Sequence, residues 1–250
     1  MARDARERSR RLTGGFTLVE LLVVVSIICL LMSVLVPSVT RAQKQGEQIH
    51  CLANQHQLFL AWMLYSTNHD DRLCSPGSHK SALKPHAPLE EVFFCKTVGS
   101  DQHGSSYGVS NTTGGDFRDG VKPYERFHKI SHPSDCLVFV DVQAFNSECF
   151  WPLLRDLKQK RWVWRQPDIF GVGGITSRHG NGCNMTFADG HGERVVWKDQ
   201  RTLQLIKGTI GDEIEASRGN ADLDFLVRVL VGDRPVLDTS EEQKQKQEPE

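Results

Sequence analysis

One carboxylate lies inside an apolar segment that is long enough to cross a membrane. Glu20 is the only charged side chain between Phe16 and Thr40. A carboxylate in hydrocarbon is energetically costly, so we expect Glu20 to have a partner of opposite charge. A buried ion pair recovers part of its desolvation cost only when both partners are present. The pattern therefore predicts a charged partner for Glu20; the alternative is an ordinary membrane anchor whose Glu20 reaches the lipid headgroups.

A second set of chemically capable residues lies near the C-terminal end. His179 and the pair Asp189-Gly190 bracket nine residues, and His191 follows directly. Asp-Gly favours a hairpin turn, because Gly accepts positive φ and Asp bonds its own backbone. In the structural interpretation, which we prefer, His179 hydrogen-bonds a backbone group or Asp141 while Asp189 fixes the turn. The alternative is a divalent-metal site formed by His179, Asp189 and His191, since imidazole and carboxylate ligands suit zinc or manganese.

Seven cysteines supply the remaining reactive groups. Cys29 belongs to the apolar segment, and six lie beyond it: Cys51, Cys74, Cys95, Cys136, Cys149 and Cys183. An even number outside the cytoplasm permits disulfides, whose connectivity the sequence leaves open. We favour a Cys51–Cys95 bond, because Cys51 lies on a predicted helix and Cys95 on a segment expected to cover it. The alternative is that most of these cysteines are small buried apolar side chains.

The elements that position these residues begin with the apolar segment itself. Residues 16–36 would form a helix of about 31 Å, which matches a hydrocarbon core of about 30 Å. Pro37-Ser38 ends the run and a polar, helical stretch continues, so we predict a retained membrane helix rather than a signal peptide. Five Arg against Asp4 and Glu7 give the first fifteen residues a net charge of +3. The positive-inside rule places Met1 in the cytoplasm and the remainder in the periplasm or outside.

The segment GFTLVE at residues 15–20, with its basic leader and apolar continuation, resembles the type IV pilin and type II secretion pseudopilin family. The resemblance implies that a prepilin peptidase cuts between Gly15 and Phe16 and methylates the new amine on Phe16. It also implies that Glu20 pairs with the amino group of a neighbouring subunit during assembly. Pro37 falls where many family members have a helix-kinking proline.

Five segments follow from this interpretation. They are a prepilin leader (1–15), a transmembrane helix (16–37), an amphipathic continuation of that helix (38–66), a globular head (67–233) and a disordered polar tail (234–250). The continuation is predicted from apolar and aromatic residues at three- and four-residue spacing: Ile49, Leu52, His56, Phe59, Leu60 and Met63. The tail has no apolar side chain from Asp238 onward and cannot repay its ordering entropy.

The head is predicted to be a small α+β domain with an antiparallel sheet, which gives the whole chain a pilin-like fold. Residues 91–95, 137–140 and 162–164 read as strands. Residues 184–188 and 193–197 form the best hairpin, joined through Asp189-Gly190-His191-Gly192. Asp199 is expected to cap a short helix, and residues 225–231 mark a last apolar stretch.

The element around His179, Asp189 and Gly190 also resembles the H-x9-DG element near the C-terminus of a large pilin-like group in Planctomycetes-type bacteria. Members commonly read Arg-His, a Gly/Asn stretch and then Phe-Ala-Asp-Gly-His. Here these are Arg178-His179 and residues 187–191. The resemblance spans most of residues 10–200 and implies a family more than a biochemical role.

The sequence therefore predicts a non-enzymatic filament subunit, a pilin or pseudopilin, anchored in the inner membrane before assembly. The implied partners are a prepilin peptidase, like subunits in a helical filament, an inner-membrane assembly platform and membrane lipid. The net charge of −1 gives no reason to predict nucleic-acid binding. No cofactor is predicted, apart from the divalent metal of the alternative above. That alternative is a membrane-anchored metal-binding protein or hydrolase using His179, Asp189 and His191.

Overall fold

The structure is a computed structural model of the chain. It describes residues 17–97, 105–115, 119–142, 149–156, 161–164, 174–207, 216–234 and 236. The predicted leader, Gly15, Phe16 and the tail beyond residue 236 lie outside the described residues. The chain forms two compact units, Met1–Gln45 and Gly46–Glu250, which are described separately below.

A single long helix, α1, runs from Leu18 to Asn68. Its N-terminal portion belongs to the first unit, where the large apolar side chains from Leu18 to Val39 are exposed. Among the described residues, this is the one helix long and apolar enough to span a membrane. Pro37 lies inside it and has no N–H, so the Ser33 carbonyl loses its usual helical donor.

Hydroxyl groups within the apolar portion of α1 are satisfied by the helix itself. Each donates to a backbone carbonyl three or four residues earlier, at distances of 2.7 to 3.0 Å: Ser26, Ser33, Ser38 and Thr40. An unsatisfied hydroxyl in hydrocarbon costs free energy, and these local bonds remove that cost. The segment is thus compatible with lipid despite its polar side chains.

In the second unit, α1 buries one stripe in the head. The buried residues recur at helical spacing: Cys51, Asn54, Gln55, Leu58, Phe59, Ala61, Trp62 and Ser66. The predicted stripe was wrong in phase, because Ile49 and Leu60 are 59% and 54% exposed. The physical reason is that Asn54 and Gln55 are buried through hydrogen bonds to the head, which a search for apolar periodicity does not count.

A five-stranded sheet forms the centre of the head, with strand order β3-β1-β2-β6-β7. Its strands are β1 (Tyr107–Ser110), β2 (Leu137–Asp141), β3 (Cys149–Phe150), β6 (Gly182–Phe187) and β7 (Gly192–Val196). The pairs are antiparallel except for β1 with β3, which is parallel. A separate antiparallel pair contains β4 (Leu153–Asp156) and β5 (Arg161–Trp164). The predicted α+β class, strand at 137–140 and C-terminal hairpin are confirmed.

Three further helices complete the described head: α2 (His79–Leu83), α3 (Gln200–Ile206) and α4 (Ala221–Leu230). Asp199 caps α3 as predicted, accepting a hydrogen bond from the Arg201 N–H. The strand predicted at 91–95 was wrong, because residues Glu90–Phe93 form a 3-10 helix. A short apolar run does not distinguish a strand from a helical turn. Here Val92 and Phe93 belong to the helical turn, and both side chains are buried.

Two apolar cores stabilise the head. One gathers α1 and β1 side chains, including Leu58, Trp62 and Val109. The other gathers α4 with the tryptophans of the second sheet, including Trp164 and Leu226. Strand β2 contributes to both cores, because the side chains of a strand point to both faces of the sheet. The sheet is therefore held from both sides, with α1 supplying one of them.

Candidate functional site

The start of α1 is closed by a reciprocal hydrogen-bond arrangement between Thr17 and Glu20. The Glu20 carboxylate accepts from the Thr17 backbone N–H at 2.9 Å and from its hydroxyl at 2.8 Å. In return, the Glu20 N–H donates to the Thr17 hydroxyl oxygen at 3.2 Å. This is a capping box, which satisfies otherwise orphaned donors at a helix N-terminus. The charged side chain within the apolar segment thus has a partner inside its own chain.

The capping role of Glu20 was missed by the sequence analysis, although the sequence contained its signal. A Thr followed three residues later by Glu, directly before an apolar run, is the pattern of a capping box. Capping places the carboxylate at the first turn of α1, close to where the predicted cleavage would create an amine.

The Asp189-Gly190 turn joins β6 to β7 and lies against α1. The Asp189 carboxylate accepts from the His191 N–H at 3.1 Å and lies 2.6 Å from its ring Nδ1. The His191 ring stacks on Phe187 with a centroid distance of 4.4 Å. Gly190 has a φ of +90°, and a Cβ there would lie 2.8 Å from the ring of Phe59. The conformation of the turn is therefore fixed by Asp189, and Gly190 lets the turn pack closely against Phe59 of α1.

Substitution of Gly190 by Ala should destabilise the head, because the Cβ would both strain the backbone and push into Phe59. We expect the free energy of unfolding to fall by about 2 to 4 kcal/mol. Gly219→Ala is the matched control, since Gly219 also has a positive φ of +59° but has open space around it. Denaturant unfolding of both variants in detergent measures the difference. Equal losses in the two variants would show that the contact with Phe59 has no energetic role.

The other end of β6 leads back to His179, which is buried beside Asp141. The His179 Nε2 lies 3.4 Å from the Asp141 Oδ2. Asp141 is fully buried, and it accepts hydrogen bonds from the Asn184 N–H at 2.7 Å and the Gln55 side chain at 3.0 Å. Burial raises the pKa of Asp141 to about 6. Asp141, offered by the sequence analysis as a partner of His179, does lie beside it.

Gln55 connects the middle of α1 to the sheet. Its amide nitrogen donates to Asp141 and to the Asn184 carbonyl at 3.2 Å, and its amide oxygen accepts from the Thr186 hydroxyl at 3.0 Å. Cys51 lies near His179, and Phe59 lies against Gly190. With the bonds of Gln55, these contacts place residues 51, 55 and 59 of α1 along the segment from His179 to Gly190. The three helical positions are four residues apart and share one face. The nine-residue spacing between His179 and Asp189 thus follows the buried face of α1.

Cys51 and Cys95 lie side by side in the buried core beside His179. Both are free thiols in the structure, and their sulfurs lie within 4.8 Å of each other. The interaction between the two thiols lowers the pKa of Cys95 and raises the pKa of Cys51. The Cys95 sulfur also lies 2.9 Å from the Thr97 hydroxyl and 3.8 Å from the His179 Nε2. The pair predicted to form a disulfide is therefore in proximity, and the bond itself stays a prediction.

The three residues of the predicted metal site are not brought together. His179 is buried before the start of β6, whereas Asp189 and His191 are partly exposed beyond its far end. A six-residue strand covers about 20 Å, which is far beyond a shared coordination sphere. Among the described residues, His179 instead clusters with Cys51 and Cys95, and their ligand atoms all lie within 4.8 Å of one another. The sequence analysis missed this convergence, because it joins residues far apart in the chain.

Comparisons with known proteins bear on the N-terminal segment. The family model described as the prokaryotic N-terminal methylation motif matches residues 10–36. Neither a curated protein nor a solved structure matches the chain. The motif supports a type IV pilin-like protein that is a substrate of prepilin peptidase. With the apolar portion of α1, it also supports anchoring in a membrane through the N-terminal segment.

Proposed function

We propose that this chain is a structural, non-enzymatic subunit of a type IV pilus-like or type II secretion filament. The observation that carries the proposal is the methylation motif at residues 10–36, which coincides with the capped start of an apolar helix. The exposed apolar side chains between Leu18 and Val39 support it, because such a surface requires either lipid or neighbouring helices. The α+β head is left free to make specific contacts outside the membrane.

The proposed mechanism begins with cleavage between Gly15 and Phe16 and methylation of the new amine. This amine, on Phe16, carries a positive charge directly before Thr17 and four residues before Glu20. In a single subunit the Glu20 carboxylate is held by Thr17. During assembly, the amine of a neighbouring subunit becomes a charged partner for the same carboxylate. A charge-assisted bond is stronger than a neutral one, so the exchange favours the filament and sets the register between subunits.

The remaining assembly residues and partners follow from this mechanism. Pro37 removes one helical hydrogen bond near the end of the apolar portion, which gives α1 a point of local adjustment during packing. The partners are a prepilin peptidase, like subunits, an inner-membrane assembly platform and lipid. The N-terminus faces the cytoplasm and the head faces the periplasm or the exterior.

The hydrolase alternative gains no support from the described residues, since His179 lies far from Asp189 and His191.

Substitution of Gly15 by Val tests the processing step. A side chain at this position should block close approach of the peptidase to the backbone, so the leader would be retained. The intact mass of the membrane-extracted protein measures the result: the parent chain should lack residues 1–15 and carry one added methyl group. Gly14→Val is the control, because it places the same side chain one residue before the cleavage site. An unchanged mature mass for Gly15→Val would place the cleavage elsewhere.

A further inference from the structure

We propose that Cys51, Cys95 and His179 hold a structural zinc ion inside the head, beside the buried carboxylate of Asp141. The four side chains come from four separate segments: α1, the stretch after the 3-10 helix, the stretch before β6, and the end of β2. All four are buried, and none is more than 5% exposed. A cation at their centre would cross-link the segments that meet on the buried face of α1.

The distance between the His179 Nε2 and the Cys95 sulfur is close to the edge of a zinc tetrahedron. With Zn–S bonds of about 2.3 Å and Zn–N or Zn–O bonds of about 2.0 to 2.1 Å, tetrahedral ligands lie about 3.3 to 3.8 Å apart. The His179 Nε2 lies 3.8 Å from the Cys95 sulfur and 3.4 Å from the Asp141 Oδ2. The Cys51 sulfur lies within 4.8 Å of both the Cys95 sulfur and the His179 Nε2.

The orientation of His179 gives a second argument. Its Nε2 faces both a sulfur and a carboxylate oxygen, so a single N–H would have to be shared between them. The 3.4 Å distance to the carboxylate oxygen is also long for a hydrogen bond from a ring nitrogen. A cation bound by the neutral imidazole and the two sulfurs gives the Nε2 a single, defined partner.

The surroundings resemble the outer shell of a metal site. Metal ligands are commonly held by further hydrogen bonds that fix their orientation. The Asp141 carboxylate is held by Asn184 and Gln55, and the Cys95 sulfur is held by the Thr97 hydroxyl. The His179 backbone is also fixed, because its carbonyl accepts from Arg194 at 2.7 Å. The ligand atoms are therefore pre-positioned.

The chemistry of the donors selects the metal and the role. Two thiolates with an imidazole suit zinc, whereas calcium and magnesium require oxygen ligands. The three residues are buried and come from segments distant in the chain, so zinc bound there would join those segments, which is a structural role. The site uses His179 but shares neither Asp189 nor His191 with the set considered from the sequence.

Zinc content of the full chain, extracted from membranes in detergent without chelator, tests the proposal. We expect about one zinc per chain, as determined by elemental analysis, and at least about a tenfold loss in Cys95→Ser and in His179→Asn. The controls are Cys74→Ser, a buried thiol outside the cluster, and His191→Asn, which should both keep the metal. Cobalt substitution should give the charge-transfer absorption of thiolate ligands in the parent chain and in the two controls.

Two results would overturn the proposal. One is a Cys51–Cys95 disulfide in the extracted parent chain, identified by peptide mapping after alkylation without reduction. The other is a chain with both thiols reduced and less than about a tenth of a zinc per molecule, which fails to take up added Zn²⁺ or Co²⁺. If the variants fail to fold, the metal content and cobalt spectrum of the parent chain decide the question alone.

Discussion

Glu20→Gln is expected to leave cleavage and methylation intact and to abolish incorporation into filaments. Gln retains the oxygen that a capping box requires, so the start of α1 keeps its bond to Thr17. It lacks the negative charge that would pair with the amine of a neighbouring subunit. The substitution therefore separates the two roles that the structure and the proposed mechanism give to one side chain.

The expected effect is at least about a tenfold loss of the protein from sheared filament fractions, because each subunit contact would lose its charged pair. Immunoblots of the sheared and membrane fractions measure the distribution, and intact mass confirms that the leader has been removed. Glu47→Gln is the matched control, since Glu47 is also exposed on α1 but lies outside the apolar portion. Glu20→Ala, which removes both the charge and the cap, should fail in the same way.

Normal incorporation of Glu20→Gln together with failure of Glu20→Ala would assign Glu20 to capping alone. Normal incorporation of both variants would remove Glu20 from the assembly mechanism. The proposal that the chain forms filaments would then rest on the processing of its leader and on the apolar surface of α1.

Gln55→Met is expected to produce the largest loss of stability among polar substitutions on α1. Met has a similar length but makes none of the three hydrogen bonds of the amide. The substitution leaves the Asp141 carboxylate, the Asn184 carbonyl and the Thr186 hydroxyl each without one partner, and all three residues are buried. An unsatisfied buried polar group costs about 1 to 3 kcal/mol, so we expect a loss of about 3 to 4 kcal/mol after partial relaxation.

Chemical unfolding of the detergent-extracted chain, followed by tryptophan fluorescence, measures this loss. Trp62 reports directly on the seating of α1, because it is fully buried in the same core. Gln57→Met is the control, since Gln57 lies on the same turn of α1 but is only partly buried. A change below about 1 kcal/mol for Gln55→Met would mean that apolar packing alone holds α1 on the head.

Local patterns in the sequence were sufficient to predict much of the fold. The apolar run predicted the first part of α1, and the Asp189-Gly190 turn predicted the β6–β7 hairpin, because both are governed by residues close in the chain. The phase of the second half of α1 was not predictable from apolar periodicity. Gln55 is buried by bonds to Asp141 and Thr186, which are 86 and 131 residues away along the chain.

The candidate sites divide in the same way. Thr17 and Glu20 form a local motif, and their capping bond was readable from the sequence. Cys51 and Cys95, which were predicted to form a disulfide, lie near each other, and the disulfide itself stays a prediction. The convergence of His179 with Cys51 and Cys95 was not readable, because contacts between distant segments depend on the register of β2 and β6. The preferred interpretation placed His179 beside a backbone group or Asp141, and the alternative placed it with Asp189 and His191.

The match between β6 and the buried face of α1 has a consequence for how this protein can diverge. Side chains along β6 alternate between the two faces of the sheet, so one inserted or deleted residue would reverse every position beyond it. Gly190 would then no longer lie against Phe59, while His179 would keep its position near Cys51. The number of residues from His179 to Gly190 is thus fixed by contacts with α1 at both ends, at Cys51 and at Phe59.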